Sequence, residues 1–245
     1  MNPVAAGRFS PATPGGRPVN WAATGRSGGV STGVYAGLNL ASHVGDESGL
    51  VEQNRQRVAA MLDVPAICML DAQHGGNVVV VHSSGIARES DAVVTTAPRL
   101  GLLALAADCV PIVLADPDAH VIAAVHCGWR GLGAGVVTAA VSVMREQGAT
   151  RIRAVTGPAI CVGCYPVGLD CVQALQEQLD AEAFAASTRR QGSQWQVDVR
   201  AGVHHQLHME GIVATSVKRC TATDERLYSF RAAGQTGRQG MIVAL

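Results

Sequence analysis

Two apolar runs without polar alternation constrain this chain most. Ile112 to Ala115, directly after Pro111, and Val121 to Val125 are each short, partly β-branched and bounded by turn-forming or polar residues. A half-buried strand alternates apolar and polar residues, so an unbroken run of this length reads as a strand covered on both faces. The segments Val78 to Val81, Asp91 to Thr96 and Leu102 to Ala106 read as further strands. Helical spacing appears elsewhere. Val51, Arg55, Val58 and Leu62 mark one face over 51–62, and Val137, Ala140, Val141 and Met144 mark another that Gly148 stops. Further helices are expected over Leu169 to Leu179 and Arg200 to Glu210, the latter with Val199, Val203 and Leu207 inward. Residues 25–40 hold five glycines and read as a loop with short extended pieces. The fold class is α/β: a single domain with mixed β-sheets flanked by helices.

Composition narrows the partners. The 245 residues are 48% hydrophobic and 16% charged, with 19 Lys+Arg against 19 Asp+Glu. A neutral chain without basic runs argues against a nucleic-acid or membrane partner held by charge. Asp and His break the apolar runs well short of the roughly 18 residues of a membrane span. Residues 1–20 contain Arg8 and Arg17 but no apolar signal core, and read as a loose N-terminal segment or an edge strand before one domain at 21–245. Seven cysteines, an odd number without a secretion signal, point to reduced thiols and a cytoplasmic chain. Cys161-Val-Gly-Cys164 has the spacing of a zinc knuckle or redox pair, but no second such pair accompanies it.

Three short segments carry metal-type chemistry: Gln73-His74-Gly75, Asp108-Cys109 and the run from His126 through Cys127, Gly128, Trp129 and Arg130 to Gly131. His74, Cys109 and His126 would give a borderline-soft ion two imidazoles and one thiolate, a set suited to zinc that leaves a fourth position open. Cys109 and His126 fall at the ends of neighbouring strands, where loops carry chemistry. Trp129 between glycines suggests a backbone that must approach something closely. Arg130 adds a planar fork suited to phosphate. His204 and His208 lie four apart on a helix but lack the Glu of an HExxH motif, and read as solvent-facing. His43, His82 and His120 have no obvious partner.

The segments GGVSTGVYAGLNL (28–40), HVGD (43–46), QHG (73–75), DAVVT (91–95), ADCVPIVLADP (107–117), HCGWRG (126–131), GPAICVGCY (157–165), CTATDERLYSFR (220–231) and TGR (236–238) occur in an order that resembles the YfiH family almost end to end. That family was once labelled laccase-domain or multicopper polyphenol oxidase. It was later assigned purine nucleoside phosphorylase activity, and some members are called peptidoglycan editing factors. The resemblance implies one zinc at His74, Cys109 and His126. It also implies phosphorolysis of adenosine, inosine and methylthioadenosine with some adenosine deamination, so a purine nucleoside and phosphate are the expected partners. On that reading Arg130 is the first candidate for phosphate and Arg55 the second. Asp108 orients a ligand, moves a proton or caps a turn, and Asn39 binds a ribose hydroxyl or phosphate or forms a turn. Cys127, Pro166 and Ala232 depart from the residues the family commonly has, which are Ala, Glu and Arg. Two alternatives remain, the first of them on the same residues. One is a cysteine hydrolase acting on a peptidoglycan precursor with Cys109 as nucleophile and His126 as base; the other is a copper polyphenol oxidase drawing on His204, His205 and His208. The oligomeric state stays open.

Overall fold

In a computed structural model that describes residues 2–245, fifteen strands and seven α-helices build one mixed α/β domain. The first six-stranded sheet runs in the order Ala5–Phe9 (β1), Val19–Ala23 (β2), Gln239–Ala244 (β15), Leu100–Ala106 (β7), Ala66–Leu70 (β3) and Gly85–Ala87 (β5). The second runs Ala214–Ser216 (β14), Arg153–Thr156 (β10), Val110–Asp116 (β8), Val121–Cys127 (β9), Ala92–Thr95 (β6) and Val78–Val80 (β4). Both sheets mix parallel with antiparallel pairs. A small third sheet joins Pro166–Val167 (β11), Gln194–Val197 (β13) and Thr188–Gln191 (β12).

The two large sheets pack face to face, and side-chain alternation decides which layer each residue enters. On β8, Val113 and Ala115 face the first sheet, while Val110, Ile112 and Leu114 face the helices. On β9, Ile122 and Ala124 face the first sheet, whereas Val121, Ala123, Val125 and Cys127 face the helices. Those helices are Trp129–Gly133 (α2), Val136–Glu146 (α3), Leu169–Gln178 (α4), Ala181–Ser187 (α5) and Val199–Met209 (α6). Ser48–Met61 (α1) covers the outer face of the first sheet through Val58, against Leu38, Leu103 and Ile242. Phe230–Ala233 (α7) is a single turn near the C-terminus. Both apolar runs are therefore covered on both faces, as the absence of alternation implies. No helix of the described residues is long and apolar enough to cross a membrane.

Two expectations need correction. Residues 5–9 are not loose: β1 pairs antiparallel with β2 over five residues and forms the sheet's edge, so the edge-strand alternative describes them. His204 does not face solvent. It is half-buried, with Nε2 2.7 Å from Ser216 Oγ, because α6 lays that flank against β10 and β14; His208 is exposed as expected.

A buried carboxylate ties the second sheet together. Asp116 Oδ1 accepts from the backbone N–H groups of Asp118 and Ala119, and Oδ2 accepts from those of Thr150 and Arg151, both at 2.7 Å. Burial alone would raise its pKa, but the four N–H donors outweigh burial and hold the carboxyl below its ordinary value. Asp116→Ala should cost about 3 kcal/mol at neutral pH, measured by denaturant unfolding, since it strands buried donors. A depressed carboxyl contributes fully above its unfolded value near about 4. The gap between wild type and variant should therefore shrink as pH falls through the lower folded value.

Candidate functional site

β8 begins where β9 ends, with Val110 opposite Cys127 and Pro111 opposite His126. This pairing brings Cys109, one residue before β8, beside His126 at the sheet's end. Alternation places His126 on the side toward the first sheet and Cys127 in the helix-facing core, fully buried. This second thiol packs in the core and is not among the grouped ligand atoms of His74, Cys109 and His126, and burial pushes its pKa well above the ordinary value. His74 arrives from the loop before β4 with a left-handed backbone, φ 63°. The ligand atoms of His74, Cys109 and His126 all lie within 4.8 Å of one another, and the two imidazoles meet edge to face with centroids 5.0 Å apart.

Several features of the chain fit a metal here. His126 Nδ1 lies 2.8 Å from the Leu105 carbonyl, which can only accept, so Nδ1 carries the proton and Nε2 presents its lone pair. That Nε2 is buried and has no hydrogen-bond partner in the protein. Burial also lowers the His126 pKa, against the raising effect of the Leu105 carbonyl, and favours the neutral ligand form. Gly128 explains part of the glycine framing of Trp129: a Cβ there would sit 2.9 Å from Cys109 Sγ and 3.4 Å from His74 Cδ2. At Gly131 it would meet the Gly75 carbonyl at 3.2 Å.

Asp91, which sequence reasoning treated as the start of a strand, organises the other side. Its carboxylate accepts from the N–H of Gln73 (2.9 Å) and of Asn77 (3.4 Å), and its carbonyl accepts from His126 N at 2.8 Å. One buried residue thus fixes the His74 loop and the His126 backbone together, the outer support a metal site needs.

The three candidate ligands open into a cavity of about 700 Å3, lined also by Ser42, His43, Arg55, Asp71, Asp108, Tyr165, Phe230, Arg231 and Arg238. Arg55 is among the residues that line it, and its Nε donates to the Leu40 carbonyl at 3.0 Å. Arg130 is not: it is exposed on α2, stacked 4.4 Å over the Trp129 ring, and it does not line the cavity. The helix that starts at Trp129 carries it away from His126. Arg231 and Arg238, more than 100 residues further along the chain, line the cavity instead. Asn39 takes the turn-forming alternative of its two readings. It is fully buried, donates to the Ala41 carbonyl and Asp46 Oδ2, and accepts from Ala41 N and Arg238 N. It builds the turn and holds Arg238 instead of meeting a ligand.

Asp108 has a strained backbone for a non-glycine residue, φ 112°. Its Oδ1 accepts from Thr221 Oγ1 (2.6 Å) and Ser229 Oγ (2.7 Å), and Oδ2 accepts from Arg231 N (2.7 Å). The carboxylate therefore anchors α7, which carries Phe230 and Arg231. Arg231 also donates to the Pro166 carbonyl at 2.9 Å and lies 4.7 Å from the Tyr165 ring centroid, so the main chain at Pro166 serves although its side chain cannot. His43, without a partner in the sequence, lines the cavity. His204, His205 and His208 join no metal-type group among the described residues.

Two stacked mixed sheets with a His–Cys–His centre at their common end define a class of α/β protein. The chain belongs to the family described as multi-copper polyphenol oxidoreductase laccase, whose pattern matches residues 20–245, and its structural neighbours are YfiH-type proteins. It is 38% identical to a purine nucleoside phosphorylase of Corynebacterium glutamicum over 95% of this chain and 96% of the other. It is 42% identical to one of Streptomyces coelicolor over 88% and 90%. A Neisseria meningitidis protein of the DUF152 family superposes with TM-score 0.84 at 29% identity, covering 97% of both chains. YfiH of Bacillus licheniformis shares the fold, with TM-score 0.85 at 24% identity over 93% and 92%.

Proposed function

We propose that this chain is a zinc-dependent purine nucleoside phosphorylase acting on adenosine, inosine and methylthioadenosine, with adenosine deamination as a side activity. The observation that carries the reading is the meeting, in one cavity, of a three-ligand centre, three arginines and two aromatic rings. Relatives named for this activity, aligned over nearly the whole chain, support it. His74, Cys109 and His126 would hold a zinc ion, which would supply Lewis-acidic charge to the cavity.

In phosphorolysis an oxygen of inorganic phosphate bonds to C1′ while the bond from C1′ to the purine nitrogen breaks, its electron pair leaving with the base. The protein must hold an anion and a planar base in line. Arg55, Arg231 and Arg238 offer planar forks that neutralise and orient phosphate. Phe230, an exposed ring at the cavity, offers a face for the purine. Burial pushes the Tyr165 phenol up to about 12, so it stays protonated and serves as a hydrogen-bond donor. Asp108 positions Arg231 through its backbone.

Free-base release followed against phosphate concentration tests this assignment. Arg231→Ala and Arg238→Ala should each raise the KM for phosphate by about tenfold or more, the loss of one charge-assisted contact. Arg130→Ala should leave it within roughly twofold. A large rise for Arg130→Ala with none for the other two would place the phosphate elsewhere.

A further inference from the structure

Cys161 and Cys164 gain a third thiol that their spacing did not reveal. A single 3-10 turn, Val162–Cys164, joins them, with Cys164 N donating to the Cys161 carbonyl at 3.0 Å. An isolated parallel bridge between Ala159 and Cys220 sets the two chain segments side by side. Thr221 N donates to the Ala159 carbonyl at 3.2 Å, and Cys161 N donates to Cys220 Sγ at 3.3 Å. All three sulfurs lie within 4.8 Å of one another, and all three cysteines are free and half-buried.

The surroundings suit an ion. Arg200 reaches from α6 to donate to the carbonyls of Gly157, Ala159 and Arg219, pinning both cysteine-bearing segments with a fixed positive charge that offsets thiolate charge. Cys161 also lines a second cavity of about 620 Å3, beside Arg200, His204 and Lys218, which gives an ion a path from solvent. None of the three cysteines lines the first cavity. The two places are nonetheless linked, since Ile160 N donates to the Asp108 carbonyl at 2.9 Å and Thr221 Oγ1 to the Asp108 carboxylate.

We propose that Cys161, Cys164 and Cys220 form a second metal centre, a thiolate site for a soft d10 cation, Zn2+ or Cu+, that clamps residues 159–165 to residues 219–224 behind Asp108. Thiolate sulfur selects these ions; three such ligands suit trigonal Cu+ or fill three of the four positions Zn2+ takes, and the N–H donated to sulfur supports the thiolate. A disulfide would use two of the sulfurs and leave the third idle. The inference is independent of the phosphorolysis reading, because it concerns ligands outside that cavity.

The test separates the two sites by working in the His126→Ala chain, purified under reductant and reconstituted in parallel with Zn2+ and with Cu+ against a competing chelator. The wild type should hold about two ions per chain and His126→Ala about one. His126→Ala combined with Cys220→Ser, or with Cys164→Ser, should hold none. The arm that fills to one equivalent identifies the ion. Cd2+ added to His126→Ala should give a thiolate charge-transfer band that either serine change removes. Chelation should lower the melting temperature of His126→Ala, which keeps the test informative if the double variants fold poorly. Failure of His126→Ala to bind either ion would overturn the proposal. So would a Cys161–Cys164 disulfide, seen by mass in freshly isolated reduced protein.

Discussion

Gly128→Ala should strip the His74–Cys109–His126 centre of its metal and the enzyme of its activity while leaving the fold intact. The added methyl would stand 2.9 Å from Cys109 Sγ, closer than such contacts occur, with His74 Cδ2 next at 3.4 Å. Both neighbours are ligands, so whichever shifts breaks the arrangement. The rest of α2 and β9 has no reason to move, because the backbone at Gly128 is extended, φ −89° and ψ −178°, and alanine adopts it freely. The expected result is a fall in metal affinity of about 100-fold or more, beyond the usual range for outer-shell changes, with an unchanged unfolding midpoint in metal-free protein. Metal content after dialysis, together with chelator titration, measures it. An ion content and affinity equal to the wild type's would show that the ligands sit elsewhere.

Asp108→Ala should act on catalysis more than on metal. Its carboxylate holds Thr221, Ser229 and the Arg231 backbone, so its loss frees the α7 turn with Phe230 and Arg231. Cys109 remains anchored at the start of β8. A drop in kcat/KM of about 100-fold is expected, with the KM for phosphate raised and the ion at His74, Cys109 and His126 retained. Unchanged phosphate kinetics would reduce Asp108 to a turn cap.

What the sequence made legible follows from local physics. The buried runs in β8 and β9 announced themselves because strands covered on both faces need no polar residues. His74, Cys109 and His126 stood out because two imidazoles and a thiolate in short segments beside strand ends suit a borderline-soft ion. The misreadings share one cause, namely contacts made between distant parts of the chain. Arg130 is four residues from His126, yet a helix begins between them, whereas Arg231 and Arg238 come to the cavity from the far end of the chain. Asn39 in a glycine-rich loop looks like a surface turn, but Asn54 on α1 donates to its carbonyl at 2.9 Å and helps pull that loop into the interior. Cys220 lies 56 residues beyond Cys164, and only the bridge at Ala159 reveals the trio. β15 joins β2 to β7 in the middle of a sheet, although in sequence it is a short apolar run near the end of the chain.

The central claim is that the cavity over His74, Cys109 and His126 performs phosphorolysis. The most direct measurement feeds adenosine to zinc-loaded protein with and without inorganic phosphate and follows adenine, inosine, hypoxanthine and ribose 1-phosphate together. Ribose 1-phosphate should equal adenine plus hypoxanthine, with all three dependent on phosphate and absent in His126→Ala. The claim is contradicted if no base is released, or if free ribose forms at the same rate without phosphate. It is contradicted equally if Cys109→Ser abolishes cleavage of a peptidoglycan precursor while nucleosides go untouched.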